Sequence, residues 1–379
     1  MKPNRILAAA LGLLAGAAVA VAAFVPVTPA QAQILSGQAG PNFKNLIDNG
    51  NFNIYQRGTA LVGSITTAAL YHADRWAAYS GTATTATLSN ATLGLPAAPA
   101  PTFTNAEQLQ RNGGAAGILP TCLVQEIPTS DITPLAGQPV TLSFWALAGA
   151  NFSAANSVLN PILTTGTGTD EGLATLITGF TGAATPISAS QVITTGWQRY
   201  AWTGTIATTA TEAAVQFCYT PVGTAGTNDY FRVTGVQLEQ GTVATNFEWR
   251  PAGIELAKVQ RYFYQITESK TALNSRAICA MSTTSIANCL VQFPVTMRVA
   301  PTMTLTAGFE VSAAVASTTA TVCTALTLSA TLTGSAASTQ NALLDCASSA
   351  GFGAAGTAGF MWDIGTSSGT GIIKASADF

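Results

Sequence analysis

In Val140-Thr141-Leu142-Ser143-Phe144-Trp145-Ala146 apolar and small polar side chains alternate, and only Trp145 enters the polar phase. That period of two is the pattern of a strand with one buried face. Gln198 to Ile206, Ala213 to Tyr219 and Tyr230 to Leu238 repeat it. Short β-branched and aromatic runs bounded by Gly, Pro, Asn and Thr recur along the chain, a spacing that predicts sandwiches or barrels. Leu93 to Pro101, rich in Pro and Ala, and Thr164 to Asp170, rich in Thr and Gly, are expected loops.

One segment breaks the β pattern. From Ile254 to Tyr264, residues Ile254, Leu256, Val259, Tyr262 and Phe263 fall near helical spacing after Pro251 and Gly253, which predicts a helical joint over 251–265. Beyond it, Ala277 to Met303 holds two strand-like runs around Ser282-Thr283-Thr284-Ser285, and Val311 to Leu332 is nearly pure Ala, Ser, Thr and Val. Residues 266–379 are therefore expected to form a second β-rich domain with a thin core, one that needs partner chains to bury its faces.

At the other end, Lys2 and Arg5 precede an apolar stretch from Ile6 to Phe24, followed by Pro26, Pro29, Ala30 and Ala32. This order reads as a secretory signal peptide over 1–32 cut before Gln33. The rival is an uncleaved anchor, since roughly 17–25 apolar residues span a bilayer. Pro26 and Pro29 favour cleavage, because they break the helix just before the small residues. No later segment is a membrane-span candidate, so the mature protein is expected to be secreted, periplasmic or displayed on a cell surface.

Only 8% of residues are charged, and loss of the leader, with two cations and no acid, would move the formal charge from −2 to −4. A weakly acidic chain without Lys/Arg clusters carries no footprint for nucleic acid or anionic lipid. An apolar fraction of 48% with low net charge excludes the composition of a disordered chain. All six cysteines, Cys122, Cys218, Cys279, Cys289, Cys323 and Cys346, follow the leader. In an exported chain that number favours disulfides. Sequence cannot choose among the pairings; the working expectation is the order-preserving set, Cys122 with Cys218, Cys279 with Cys289 and Cys323 with Cys346. Zinc is disfavoured by the lack of a C-x-x-C pair and the single histidine.

Several segments are similar to known ones. Asn45-Leu46-Ile47-Asp48-Asn49-Gly50-Asn51-Phe52-Asn53-Ile54-Tyr55-Gln56-Arg57-Gly58, then Tyr71-His72-Ala73-Asp74-Arg75-Trp76, resembles the opening of a family of phage tail-fibre and receptor-binding proteins. The likeness continues in order through Leu109-Gln110-Arg111, Gly137 to Ala146, Thr195 to Tyr200, Asn228 to Phe231 and Gly235 to Gly241. It closes with Ala244 to Arg250, Glu255-Leu256 and Gln260 to Phe263. The resemblance implies an all-β fold whose first domain, 33–250, is a jelly-roll β-sandwich similar to carbohydrate-binding modules. It also implies a surface glycan or polysaccharide as partner, and assembly as a homotrimer. The leader departs from this pattern, since a virion protein assembled in the cytoplasm needs no export; either a cell has recruited the module to its own surface or periplasm, which is the favoured expectation, or the leader is an artefact of the assigned start site. The only cofactor implied is a structural calcium, for which Asp48 and Asp229 are the acids, although Val233-Thr234-Gly235-Val236 lacks the acid expected on the last strand.

Catalysis finds little support in the residues. His72 is the only histidine and no G-x-S-x-G element accompanies it, so a polar residue near the sandwich rim is the expected reading. The acids available for glycoside cleavage are Glu126, Asp131, Asp170, Glu171, Glu239 and Glu248, and nothing in the sequence brings two together. Glu239 and Glu248 are expected to pair with Arg57, Arg75 or Arg250. Gly113 to Gly117 is glycine-rich without sitting between a strand and a helix, so it is no phosphate loop. The expected function is non-catalytic glycan binding or adhesion; the alternatives are a self-assembling surface subunit and a secreted glycan-cleaving enzyme. Sugars stack their C–H faces on aromatic rings and bond to amides. Trp145, opposite in phase to Leu142 and Phe144, is the first candidate contact, followed by Trp202, Tyr79 and Tyr219, whereas Trp76 is expected in the core.

Overall fold

The computed structural model describes residues 43–60, 62–65, 69–81, 84–93, 103–267, 274–312, 321–329, 337–363 and 371–379. The leader expected over 1–32 lies outside the described residues, as does the Leu93 to Pro101 loop past Leu93. The fold is all-β. Thirteen strands build the first part: β1 (Val62–Ile65), β2 (Leu70–Tyr71), β3 (Ala77–Ser80), β4 (Ala86–Thr92), β5 (Asn105–Arg111), β6 (Thr121–Ile127), β7 (Pro139–Ala148), β8 (Val158–Gly166), β9 (Ala184–Ser188), β10 (Gln191–Val192), β11 (Gln198–Thr205), β12 (Glu212–Tyr219) and β13 (Tyr230–Gln240).

These strands form two antiparallel sheets facing each other. One is six-stranded, in the order β1-β4-β5-β13-β7-β11; the other runs β10-β8-β12-β6-β3-β2, with β9 also paired to β8. The period-two pattern explains their contact. Leu142 and Phe144 of β7, Phe231 and Val233 of β13 and Leu109 of β5 point inward onto Leu123 of β6 and Val215 and Phe217 of β12. The Phe144 and Phe217 rings meet edge to face across the core at 4.7 Å. Trp76 is fully buried there, its indole N–H donating to the Asn49 carbonyl at 3.2 Å.

Some expectations need correction. Thr164, Thr165 and Gly166 are not loop but the end of β8, paired with Ala214, Ala213 and Glu212; β-branched threonine suits the pleated surface, and the loop starts at Thr167. Strand β12 is buried on both faces, because a short helix, α1 (Leu173–Thr178), and Phe180 cover the outer side of its sheet over Ala77, Val124 and Ala214.

The expected helix to Tyr264 is shorter. Helix α2 spans Ala252–Gln260, and Phe263–Thr267 is already a strand, β14, which pairs Phe263 with Ser376 through Thr267 with Ile372. The aromatic and β-branched side chains of Phe263, Tyr264 and Ile266 suit a sheet better than a helix end. Helix α2 is also no loose joint. Lys258 Nζ lies 2.8 Å from Asp48 Oδ1, Arg250 Nη1 lies 2.9 Å from Glu255 Oε2, and the Asn49 amide donates to Glu255 Oε1, so the helix is clamped to the sandwich.

The second part adds β15 (Asn274–Met281), β16 (Ile286–Gln292), β17 (Thr302–Thr306), β18 (Glu310–Ser312), β19 (Thr321–Val322), β20 (Ala325–Leu328), β21 (Asn341–Ala347), β22 (Ala358–Asp363) and β23 (Ile372–Ser376). A three-stranded sheet, β14-β23-β17, accompanies a seven-stranded one, β19-β18-β22-β15-β16-β21-β20. The β15–β16 hairpin turns at Ser282 to Ser285, where the sequence pattern places it. This part encloses a core of its own, with Ile266, Met281, Phe309, Leu344, Met361 and Ile373 at its centre.

Buried charge joins the two parts. The Arg75 guanidinium stacks on Tyr262, and Arg57 bridges Asp74 of the sandwich and Asp378 while lying 3.6 Å over the Phe263 ring. Arg298 reaches back to Asp170 Oδ2 at 3.0 Å. The three disulfides follow the order-preserving pairing, Cys122–Cys218, Cys279–Cys289 and Cys323–Cys346. The first two join residues directly opposite on neighbouring strands, β6 with β12 and β15 with β16.

Candidate functional site

The outer face of the six-stranded sheet gathers aromatic, amide and guanidinium side chains. Because paired residues in an antiparallel sheet share a face, the register places Thr234, Trp145 and Arg199 side by side across β13, β7 and β11. The next row is Ser89, Gln108, Arg232 and Leu147 across β4, β5, β13 and β7. Beyond it, Thr87, Gln110 and Tyr230 face outward together. Tyr230 lies on Gly149, where a Cβ would come within 2.8 Å of its ring, so the glycine makes room for the aromatic.

Side-chain hydrogen bonds hold this face in place. Arg232 Nε donates to Gln108 Oε1 at 2.7 Å and its guanidinium sits 4.8 Å from the centre of the Tyr230 ring. Gln108 Nε2 donates to Gln110 Oε1 at 2.8 Å. Arg199 Nη2 donates to Ser143 Oγ at 3.2 Å and to the Thr245 carbonyl. Trp145 is half-buried, and with Trp197 and Phe247 it packs against Ala91, Leu93, Phe103 and Ala106. Phe103 also stacks on Trp249, 47% of which is exposed, with centroids 5.0 Å apart. Gly235, at φ +60°, carries the bulge in β13 that lets Phe103 lie against the backbone.

The other candidates do not join Trp145. Trp202 pairs with Leu142, which points to the core, so it lies in the opposite phase at the sheet edge, 37% exposed. Tyr79 belongs to the other sheet, donating to Gln216 Oε1 at 2.8 Å beside the α1 cluster. Tyr219 is fully buried in the sandwich core and cannot touch a ligand; its phase matches that of Phe217 and Val215 rather than the outer face. The partners the sequence reading missed are Arg199, Arg232, Gln108, Gln110 and Tyr230. Their strand phase is legible, but which strands adjoin β7 is not.

The acids are engaged elsewhere. Asp48 faces Lys258, Arg75 and Arg250, and Asp229 lies 2.9 Å from Arg111 Nη1 while accepting from Ser153. Both carboxylates are already answered by cations that a calcium ion would have to displace, and among the described residues no three metal-ligating side chains cluster. Asp48 and Asp229 are thus structural ion-pair residues. His72 is not at the rim but in the interior, its Nδ1 2.6 Å from Glu107 Oε1, while Tyr55 donates to Glu107 Oε2 at 3.0 Å. Glu248 pairs with Arg250 at 3.4 Å, whereas Glu239 accepts from Thr245 and Gln237. The fold does bring Glu171 and Glu212 together, the Glu171 amide donating to Glu212 Oε2 at 2.7 Å. Thr181 holds both Glu171 oxygens. Burial and the neighbouring Glu171 push the Glu212 carboxyl up.

No protein-family model matches the chain, and no curated protein is similar to it in sequence. Solved structures are similar to parts of it. The enzymatically active domain of tailspike protein 4 from bacteriophage CBA120 is 12% identical over 52% of this chain and 22% of its own, with a TM-score of 0.30. The CBM22-1 xylan-binding domain of Paenibacillus barcinonensis Xyn10C is 12% identical over 49% of this chain and 98% of its own, at 0.28. The Stig cyclase Fisc from Fischerella sp. TAU is 12% identical over 52% of this chain and 97% of its own, at 0.30.

Proposed function

We propose that this is an exported glycan-binding protein of the tail-fibre-like receptor-binding kind, which holds a polysaccharide on the outer face of the six-stranded sheet and does not cleave it. The observation that carries this reading is Trp145 beside Arg199, with Gln108 and Gln110 on the neighbouring rows; Thr234, on the other side of Trp145, is buried with its hydroxyl bonded to the Asn105 carbonyl. An indole flanked by amide and guanidinium groups offers both what a sugar ring stacks on and what its hydroxyls bond to. The three disulfides suit an oxidising compartment, and among the described residues no helix is long and apolar enough to cross a membrane. Assembly as a homotrimer belongs to the same proposal.

The test is an array of bacterial surface polysaccharides probed with the protein and with Trp145→Ala, its folding checked by circular dichroism. A glycan bound by the protein and lost by the folded variant supports the reading; absence of binding to every glycan overturns it.

A self-assembling surface subunit is the second reading, favoured by one feature. Phe360, Ile278, Leu290 and Leu343 form an apolar row across β22, β15, β16 and β21, with Ile278 67% exposed. Filaments or lattices of the purified protein in electron micrographs, without glycan binding, would favour it.

A further inference from the structure

Arg199 and Arg232 stand on either side of Trp145, Arg199 directly opposite on β11 and Arg232 one row away on β13. Among the described residues neither makes an ion pair, although Arg57, Arg75, Arg111, Arg250 and Arg298 each do. Among the described residues Arg232 donates hydrogen bonds to protein from Nε alone, besides its contact with the Tyr230 ring, and Arg199 from Nη2 alone. Arg232 Nη1 and Nη2 and Arg199 Nε and Nη1 have no protein acceptor among the described residues. Asp229 and Glu107, next in sequence to Tyr230 and Gln108, are held by Arg111 and by His72 and Tyr55, while Glu239, in the phase of Trp145, and Glu248 are taken up by Thr245, Gln237, Arg250 and the backbone of Lys44 and Asn45. On a chain of formal charge −2, two unanswered guanidinium groups beside an indole make a local positive field that the composition conceals.

We infer that the ligand of this face is an acidic polysaccharide, one sugar ring of which lies on Trp145 while carboxylates of different sugar units are taken by Arg199 on one side and Arg232 on the other. This rests on the glycan-binding reading above and names its substrate class. The guanidinium plane matches a carboxylate in two parallel, charge-assisted hydrogen bonds, whereas the hydroxyls of a neutral sugar can accept from it but bring no countercharge. Covering these cations with a ligand costs solvation that a carboxylate offsets more fully than the hydroxyls of a neutral polymer.

The full chain is titrated with polygalacturonate and with its fully methyl-esterified, neutral form, at low and high salt. The variants are Trp145→Ala, Arg232→Gln and the double variant Arg199→Gln/Arg232→Gln, each checked for native circular dichroism. The expected result is at least about tenfold tighter binding of the acidic polymer, weakened by salt and reduced to the neutral level in the double variant. Because Arg199 also anchors Thr245, Arg232→Gln and the salt titration decide the matter should the double variant fail to fold. Equal binding of both polymers, insensitive to salt and to Arg232→Gln yet abolished by Trp145→Ala, overturns the acidic class while glycan binding stands. Binding of neither these polymers nor any glycan of the array overturns both.

Discussion

The Arg75 guanidinium lies 3.5 Å from the centre of the Tyr262 ring, which fastens the β3 side of the sandwich to the segment entering the second β unit. Arg75 is almost fully buried, 3.5 Å from Asp48 Oδ2, and donates to the Glu126 carbonyl. A buried cation so placed is expensive to remove, because Asp48 loses one of its three cations and the Glu126 carbonyl keeps its desolvation cost without its donor. Arg75→Leu is expected to lower unfolding free energy by about 3–5 kcal/mol. Chemical denaturation monitored by circular dichroism measures it.

Glu126 at the same junction has its carboxyl pushed up to about 8, first by burial and then by Asp378, against the opposing pull of Arg75, Arg298 and the Tyr71 hydroxyl. In the unfolded chain it titrates near the ordinary 4.5. The folded state therefore holds the proton more tightly, and this contribution to stability is present below 4.5 and lost as pH rises through about 8. Glu126→Gln, which mimics the protonated form, is expected to flatten that decline. Melting temperatures from pH 4 to 9 for both proteins check it; parallel curves would contradict the buried, protonated carboxyl.

The Cys122–Cys218 bond closes a loop with a sequence separation of 96 residues. A cross-link of that span restrains the unfolded chain strongly, so Cys122→Ser/Cys218→Ser is expected to cost about 2–5 kcal/mol. The Cys279–Cys289 bond, with a separation of 10, is expected to cost less when removed. Comparing urea midpoints of the two double variants tests the order.

Gly235 occupies positive φ, and a Cβ there would lie 2.5 Å from Phe103 Cζ. Gly235→Ala is expected to destabilise the protein by about 1–3 kcal/mol and to displace Phe103 from its stack with Trp249. Tryptophan fluorescence should change along with stability; lost stability with an unchanged spectrum would mean that the strain is absorbed in β13.

Much of this fold was legible along the chain. Leu142 and Phe144 alternate with Thr141, Ser143 and Trp145, and that period alone orients β7 and brings Trp145 to the outer face. The same rule assigns Tyr219 to the core with Phe217, and its expected place among the sugar contacts went against that phase. At Tyr262 and Phe263 a near-helical spacing continued past the point where pairing with β23 takes the chain.

What the sequence determined by itself is the all-β character, the phase of each strand and the turns between strands, because side-chain alternation and turn chemistry act over a few residues. The tertiary structure alone decided that β11 and β13 flank β7, and so that Arg199 and Thr234 stand beside Trp145. It likewise decided that Asp48 and Asp229 meet arginines, and that Tyr219 is sealed in the core. Strand neighbours are chosen by the closure of a common hydrophobic core across long separations, and no local period records that choice.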